Sequence, residues 1–439
     1  MEILITVLSL GLLVFIHELG HYLVARLFKV KIETFSVGFG PKIFKFVKNG
    51  TEYVIALIPL GGYVKMKGQG DDEELQAEGA SDDSFSTKKW WQRSLIVFGG
   101  PVFNLFLAVV LITLSFLMGR TFSDLHPVIY SASECYAGHF EPGDKVLEVN
   151  SQGIRSFSEI FGYLKEHEEN SFVLKRNEEE IKVAFFIDSR VNFYRDLVPV
   201  TSNVVGEVTV GLPAWRAGVR NGDRVLKIDG VETNNWYEVR NQIINSENDT
   251  IMLTVEREGN TLEITVIPET NLLSESNARI IGIVQALDLT LYERYNLFES
   301  MKFGVLTTAS FVYLNYRAIY LLVTNPANLK SSIGGPIMLY QMTAQTSRRG
   351  MSDLLLLVAA ISVLLMIMNL LPIPVFDGGH IMFFLFEGIF RKPIPIRIQS
   401  FLQRIGLVIL LSLMLLAFCG DISRVHQRHS ANVRQEIIE

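Results

Sequence analysis

The chain has 439 residues, 49% of them hydrophobic, with a mean hydropathy of +0.28 and a net charge of −6. That is too apolar for an ordinary soluble enzyme and too long for one simple domain, and the acidic balance carries no nucleic-acid signature. Two cysteines, Cys135 and Cys419, exclude a disulfide framework and a four-thiolate zinc site.

Residues 3–27 form an apolar run long enough to span a hydrocarbon core of ~30 Å. A cleaved signal peptide would begin with basic residues and end at small ones; here Glu2 precedes the run, which continues through Arg26. Residues 28–70 alternate apolar and polar, as in Phe35–Gly40 and Tyr53–Leu57, which predicts β-hairpins. This segment is apolar enough to dip into a membrane, provided its backbone is buried against protein or lines a cavity. Asp71–Glu78 reads as a solvated acidic loop. Further apolar runs at 95–117, 354–371 and 401–419 complete a set of four membrane helices. Arg26, Lys29 and Lys31 follow the first run, Lys88, Lys89 and Arg93 precede the second, and Arg391, Lys392 and Arg397 lie between the third and fourth. These basic residues place those loops in the cytoplasm and 118–352 outside, although Arg424, Arg428 and Arg434 argue the other way.

Within the outer region, Gly143–Asn150 (GDKVLEVN) returns as Gly222–Asp229 (GDRVLKID), an offset of 79 residues. Phe157 then matches Trp236, and Phe172–Leu174 matches Ile251–Leu253. The pattern predicts two copies of one small α+β unit, each opening on a Gly-Asp turn. Residues 298–324 are partly apolar but carry Lys302, Asn315 and Arg317, fitting either a fifth span or an interfacial helix.

The chemistry sits inside the first run, at His17-Glu18-Leu19-Gly20-His21. Histidines four apart share one helix face and can ligate one Zn²⁺, with Glu18 placed to take a proton from a zinc-activated water. Three titratable side chains within one turn of a membrane helix are costly, about 2.5–3.5 kcal/mol for an ionised one, and need compensation. A packing histidine or a proton relay is the plainer alternative. His17 lies roughly 21 Å along the helix from Ile3, nearer the cytoplasmic face.

A catalytic zinc takes three protein ligands, so a third is needed at the same depth. Asn369–His380 (NLLPIPVFDGGH) offers Asp377, after prolines that break the third helix and in a turn allowed by Gly378 and Gly379. Taken alone, Asp-Gly-Gly is an ordinary turn. Counting crossings, Asp377 shares a side with His21 only if 298–324 does not cross.

These residues resemble the site-2 protease family of intramembrane metalloproteases, in its bacterial branch with two PDZ domains, the RseP-like regulators of sigma-E. HExxH and NxxPxPxxDG match in full, and Gly100–Asn104 (GPVFN) matches a shorter family motif. Ser332–Pro336 (SIGGP) resembles another family stretch with one extra residue. The repeats look like PDZ domains, helped by Pro213–Val219 (PAWRAGV) before the second Gly-Asp.

The resemblance implies a polytopic α-helical membrane protein: four transmembrane helices, a membrane-associated β-hairpin region and two α+β PDZ domains. Expected divisions are 1–117, the first membrane half; 118–200 and 201–290, the PDZ domains; 291–352, an extracytoplasmic or interfacial helical segment; and 353–439, the second membrane half. One Zn²⁺ is implied on His17, His21 and Asp377, with Glu18 as general base. Asn369, Gly61, Gly62 and Asn104 are implied at the substrate, Asn104 having a structural role as its alternative. The role of His380 stays open. Implied partners are membrane lipid and a single-pass transmembrane substrate, such as a trimmed anti-sigma factor or a signal-peptide remnant, with no nucleic acid. The PDZ domains would bind peptide or act as a size filter, in a cell inner membrane with the active site toward the cytoplasm. A membrane-anchored PDZ scaffold with a non-catalytic metal site is the alternative, and a transporter using the buried His/Glu set is a second.

Overall fold

Four helices among the described residues are long and apolar enough to cross a membrane: Ile3–Leu27, Trp90–Met118, Met351–Leu370 and Ile396–His429. Each carries one of the four apolar runs. The computed structural model describes residues 2–69, 81–270, 278–324 and 335–438; Asp71–Glu78 and Ser332–Gly334 lie outside them. Two units result, Met1–Arg120 with Arg294–Ile422, and Thr121–Glu293 with Ser423–Glu439.

The first unit opens with α1 (Glu2–Leu27). It ends in a Schellman turn: Lys29 has φ 59°, its N–H bonds Arg26 O, and Val30 N–H reaches Ala25 O. Strands β1 (Ile32–Lys48) and β2 (Thr51–Met66) follow. Asn49 and Gly50 join them at φ 52° and 76°, the paired positive values of a type I′ hairpin turn. Gly38 and Gly40, also at positive φ, bend β1, so Thr34–Val37 lie between Glu52–Ile55 and Gly62–Lys65. The hairpin thus curls into a small sheet, and aromatic contacts hold it to α1. Phe35 packs edge-on to Phe15 and Tyr22, and the Tyr22 and Tyr53 hydroxyls are 2.7 Å apart.

Helix α2 (Trp90–Met118) continues through Pro101. Helix α3 (Leu297–Thr324) lies outside the four apolar helices. It packs on α2 through small side chains: Ser300 and Thr308 are buried, and a Cβ on Gly304 would stand 2.3 Å from Thr113 Oγ1. Helix α4 (Pro336–Arg349) is capped from another helix. The buried Asp421 carboxylate accepts the N–H groups of Gly335, Ile337 and Met338 at 3.0–3.1 Å.

Helix α5 (Met351–Leu370) stops where Leu371, preceding Pro372, turns extended at φ −61°, ψ 142°. Helix α6 (Asp377–Phe390) and the long α7 (Ile396–Ile438) complete the order. Here the expectation of an Asp-Gly-Gly turn is corrected. Asp377 is the first residue of a helix, and neither Gly378 nor Gly379 has positive φ. The glycines serve close approach instead: a Cβ on Gly378 would meet Leu370 O at 2.3 Å, and one on Gly379 would meet Ile373 O at 2.3 Å.

The second unit holds two four-stranded antiparallel sheets of the same order. In one, Gln152–Gly153, Lys145–Val149, Glu168–Arg176 and Glu179–Ile187 lie side by side. In the other, Val231–Glu232, Arg224–Ile228, Ile251–Arg257 and Asn260–Val266 do. Alternation along each central strand buries one face, as at Ile251, Leu253 and Val255. Gly143 and Gly222 both have φ near 93–94°, and the aspartate after each takes a two-pronged arginine. Arg176 bonds Asp144 at 2.8 and 2.7 Å, and Arg257 bonds Asp223 at 2.7 and 2.7 Å.

The Arg257 side chain is 7% exposed and that of Arg176 is 21%. Removing Asp223 leaves the more deeply buried charge, at a cost of about 3–5 kcal/mol. Asp223→Ala should therefore lower the thermal midpoint of the full chain in detergent more than Asp144→Ala does.

Candidate metal centre

The i, i+4 spacing on α1 brings the two imidazoles together, with His17 Nε2 and His21 Nε2 3.1 Å apart. The start of α6 delivers Asp377, whose Oδ2 lies 3.2 Å from His17 Nε2 and 3.5 Å from His21 Nε2. No other group of three or more His, Cys, Asp or Glu side chains among the described residues is arranged to hold a metal ion. Tetrahedral zinc with bonds of about 2.0–2.1 Å needs ligand atoms about 3.3–3.4 Å apart, and the three distances bracket that value. Asp377 Oδ2 is buried without a hydrogen-bond partner, although two ring nitrogens face it. Two ring nitrogens and a carboxylate oxygen converging on one point at these spacings fit a cation. The site is thus suited to zinc by spacing, donor type and an otherwise unsatisfied oxygen.

Helix α2 packs hard against this cluster. His21 Nδ1 lies 3.0 Å from Ile96 O, so the proton sits on Nδ1 and the Nε2 lone pair faces Asp377. A Cβ on Gly20 would stand 2.3 Å from Gly99 O, and one on Gly100 would stand 2.5 Å from His21 Nε2 and 2.7 Å from His17 Nε2. The small pair Gly99–Gly100 therefore lets the two helix backbones close around the histidines. Gly100→Ala should weaken zinc binding by about 10–100-fold, the range seen when groups supporting metal ligands are altered; chelator competition on the purified protein measures it.

The curled sheet forms the facing wall. A Cβ on Gly62 would come within 3.0 Å of Glu18 Cγ, and Val64 lines the same cavity as Glu18. A cavity of about 840 Å³ runs past His17, Glu18, His21, Gly62, Asp377 and His380. Pro393–Ile396, Gln399 and Gln403 also line it, as does the Arg93–Glu387 ion pair that ties α2 to α6.

The expected site residues divide by position. His17, Glu18, His21, Asp377 and Gly62 share this cavity. Gly61 does not line it; a Cβ there would overlap the Phe39 ring at 1.9 Å. Asn369 is half-buried on the last turn of α5, also outside the lining. Asn104 is buried behind His17, its side-chain amide 3.3 Å from His17 Nδ1. Sequence reasoning quoted Gly100 in a motif without a role for it, and missed Ile96 O and the Arg93–Glu387 pair. Only the first left a signal, a Gly-Gly pair inside an apolar helix.

A zinc-ready cluster and a neighbouring carboxylate set among membrane helices define an intramembrane metalloprotease. The sequence profile described as Peptidase family M50 matches residues 5–413. A Yersinia pestis protein named Protease RseP is 30% identical over 455 residues, covering 95% of this chain and 98% of its own. With the same coverage, a Haemophilus influenzae protein named Regulator of sigma E protease is 30% identical over 452 residues. A Vibrio cholerae protein assigned as a zinc metalloprotease is 32% identical over 453 residues, again at that coverage. The chain belongs to peptidase family M50, the site-2 proteases, and is a zinc-dependent hydrolase.

Proposed function

We propose that this protease cuts single-pass membrane proteins in regulated intramembrane proteolysis, with His17, His21 and Asp377 as its zinc ligands and Glu18 as general base. The observation that carries this is the convergence of two Nε2 atoms and Asp377 Oδ2 within 3.5 Å, beside Glu18 and in one cavity. When bound, zinc supplies the Lewis acidity that polarises the scissile carbonyl and acidifies a water. Glu18 accepts the water proton and returns it to the leaving nitrogen. Among the described residues Gly62–Met66 pairs with 32–37 and with no second strand, and Gly62 lies against Glu18. A substrate helix has its amides bonded internally and must unwind; the edge left unpaired gives the unwound segment strand partners in place of those bonds.

The matching Gly-Asp turns and sheet orders support reading 118–200 and 201–290 as tandem PDZ domains, and the basic residues flanking the apolar runs support placing them on the periplasmic side of an inner membrane. The names of the relatives support an anti-sigma factor, already trimmed outside the membrane, as substrate. The domains then act as a size filter ahead of a cytoplasm-facing site. Proteoliposomes holding the full chain test this with fusions of one transmembrane segment bearing a folded or a trimmed outer part. The trimmed fusion should be cut and the folded one spared; equal cutting of both would remove the size filter, and cutting of neither would remove the substrate class.

A further inference from the structure

Zinc binds an imidazole only through an unprotonated nitrogen, so a ligating histidine must carry its proton on the other ring atom and needs an acceptor there. For His21 that acceptor is the Ile96 carbonyl on α2. The atom facing His17 Nδ1 belongs to Asn104, one helix turn beyond Gly100 on the same helix. Asn104 is 1% exposed, and its Oδ1 has no hydrogen-bond partner when Nδ2 is turned toward the ring. With Nδ2 donating, His17 Nδ1 would have to be the lone-pair atom and Nε2 would carry its proton into the cluster, against His21 Nε2 at 3.1 Å. With the amide reversed, Oδ1 accepts from His17 Nδ1–H and the Nε2 lone pair faces Asp377. The two ends of an amide have the same shape, and the network decides between them.

We infer that Asn104 is a positioning residue: its amide oxygen fixes His17 as the Nδ1–H tautomer and aims Nε2 at the metal. This departs from the expectation that Asn104 touches substrate, since the residue lies behind the imidazole and does not line the cavity. Its own place is set by α5, because Ser362 Oγ donates to the Asn104 carbonyl at 2.8 Å. The helix that leads to Asp377 and the helix that orients His17 are thereby joined at one residue. The inference rests on the proposal that His17 is a zinc ligand.

The test compares zinc affinity, by chelator competition in detergent, with KM for a cleavable transmembrane fusion, in Asn104→Leu, Asn104→Asp and the wild type. Leucine removes the acceptor at similar size, so affinity should fall by about 10–100-fold. Aspartate keeps an acceptor and should return affinity to near the wild-type value. Cobalt loaded in place of zinc should show altered visible bands in the leucine variant and restored bands in the aspartate variant. Unchanged affinity with a raised KM in Asn104→Leu would overturn the inference and return Asn104 to the substrate. If Asn104→Leu does not fold, Asn104→Asp decides alone: loss of affinity there overturns the inference. A wild type without zinc would instead sink the ligand assignment beneath it.

Discussion

Glu18→Gln should abolish turnover while leaving the metal in place. Glu18 is outside the three-atom cluster, so zinc content should match the wild type. Glutamine has nearly the same shape but cannot accept the water proton, and general-base loss costs about 10²–10⁴-fold in rate. The fall should appear in kcat with KM nearly unchanged, the signature of an interaction made in the transition state. Single-turnover cleavage of a transmembrane fusion in detergent, with zinc quantified on the same sample, measures both. Loss of zinc together with activity would place Glu18 among the ligands and contradict its assigned role.

Asp377→Ala should do the opposite and empty the site. Four-ligand zinc sites bind with about 10–16 kcal/mol, so one ligand is worth on the order of 3 kcal/mol, or more than 100-fold in affinity. Both histidines remain on α1 in this variant, and the protein should stay folded because, among the described residues, the ion-pair contacts of Asp377 are with these two histidines alone. Apoprotein at zinc levels that saturate the wild type is the expected result. Full zinc occupancy would mean that another group supplies the third ligand, and His380, one turn further along α6 in the same cavity, is the group to test next.

Much of this site was legible because its chemistry depends on short spacings. Histidines four apart have to share a helix face, and Pro372 has to extend Leu371 and stop α5. The reading failed where a residue's role depends on what another helix brings against it. Gly378 and Gly379 look like turn formers in sequence, yet they make room for the carbonyls of Leu370 and Ile373. Gly100 has no visible role until Gly20 is laid against Gly99, and Asn104, expected at the substrate, stands 87 positions from His17 in sequence but 3.3 Å from it in space. The sheet between 32 and 66 was visible as alternation. Its curl, which puts Gly62 against Glu18, follows from the positive φ of Gly38 and Gly40 and could not be read from alternation alone.

The most direct test is the zinc absorption edge spectrum of the purified full chain in detergent. Two imidazole nitrogens and carboxylate oxygen at about 2.0–2.2 Å, with no sulfur, are predicted for His17, His21 and Asp377. A scattering shell at about 2.3 Å would mean a thiolate ligand from Cys135 or Cys419 and would contradict the centre described above.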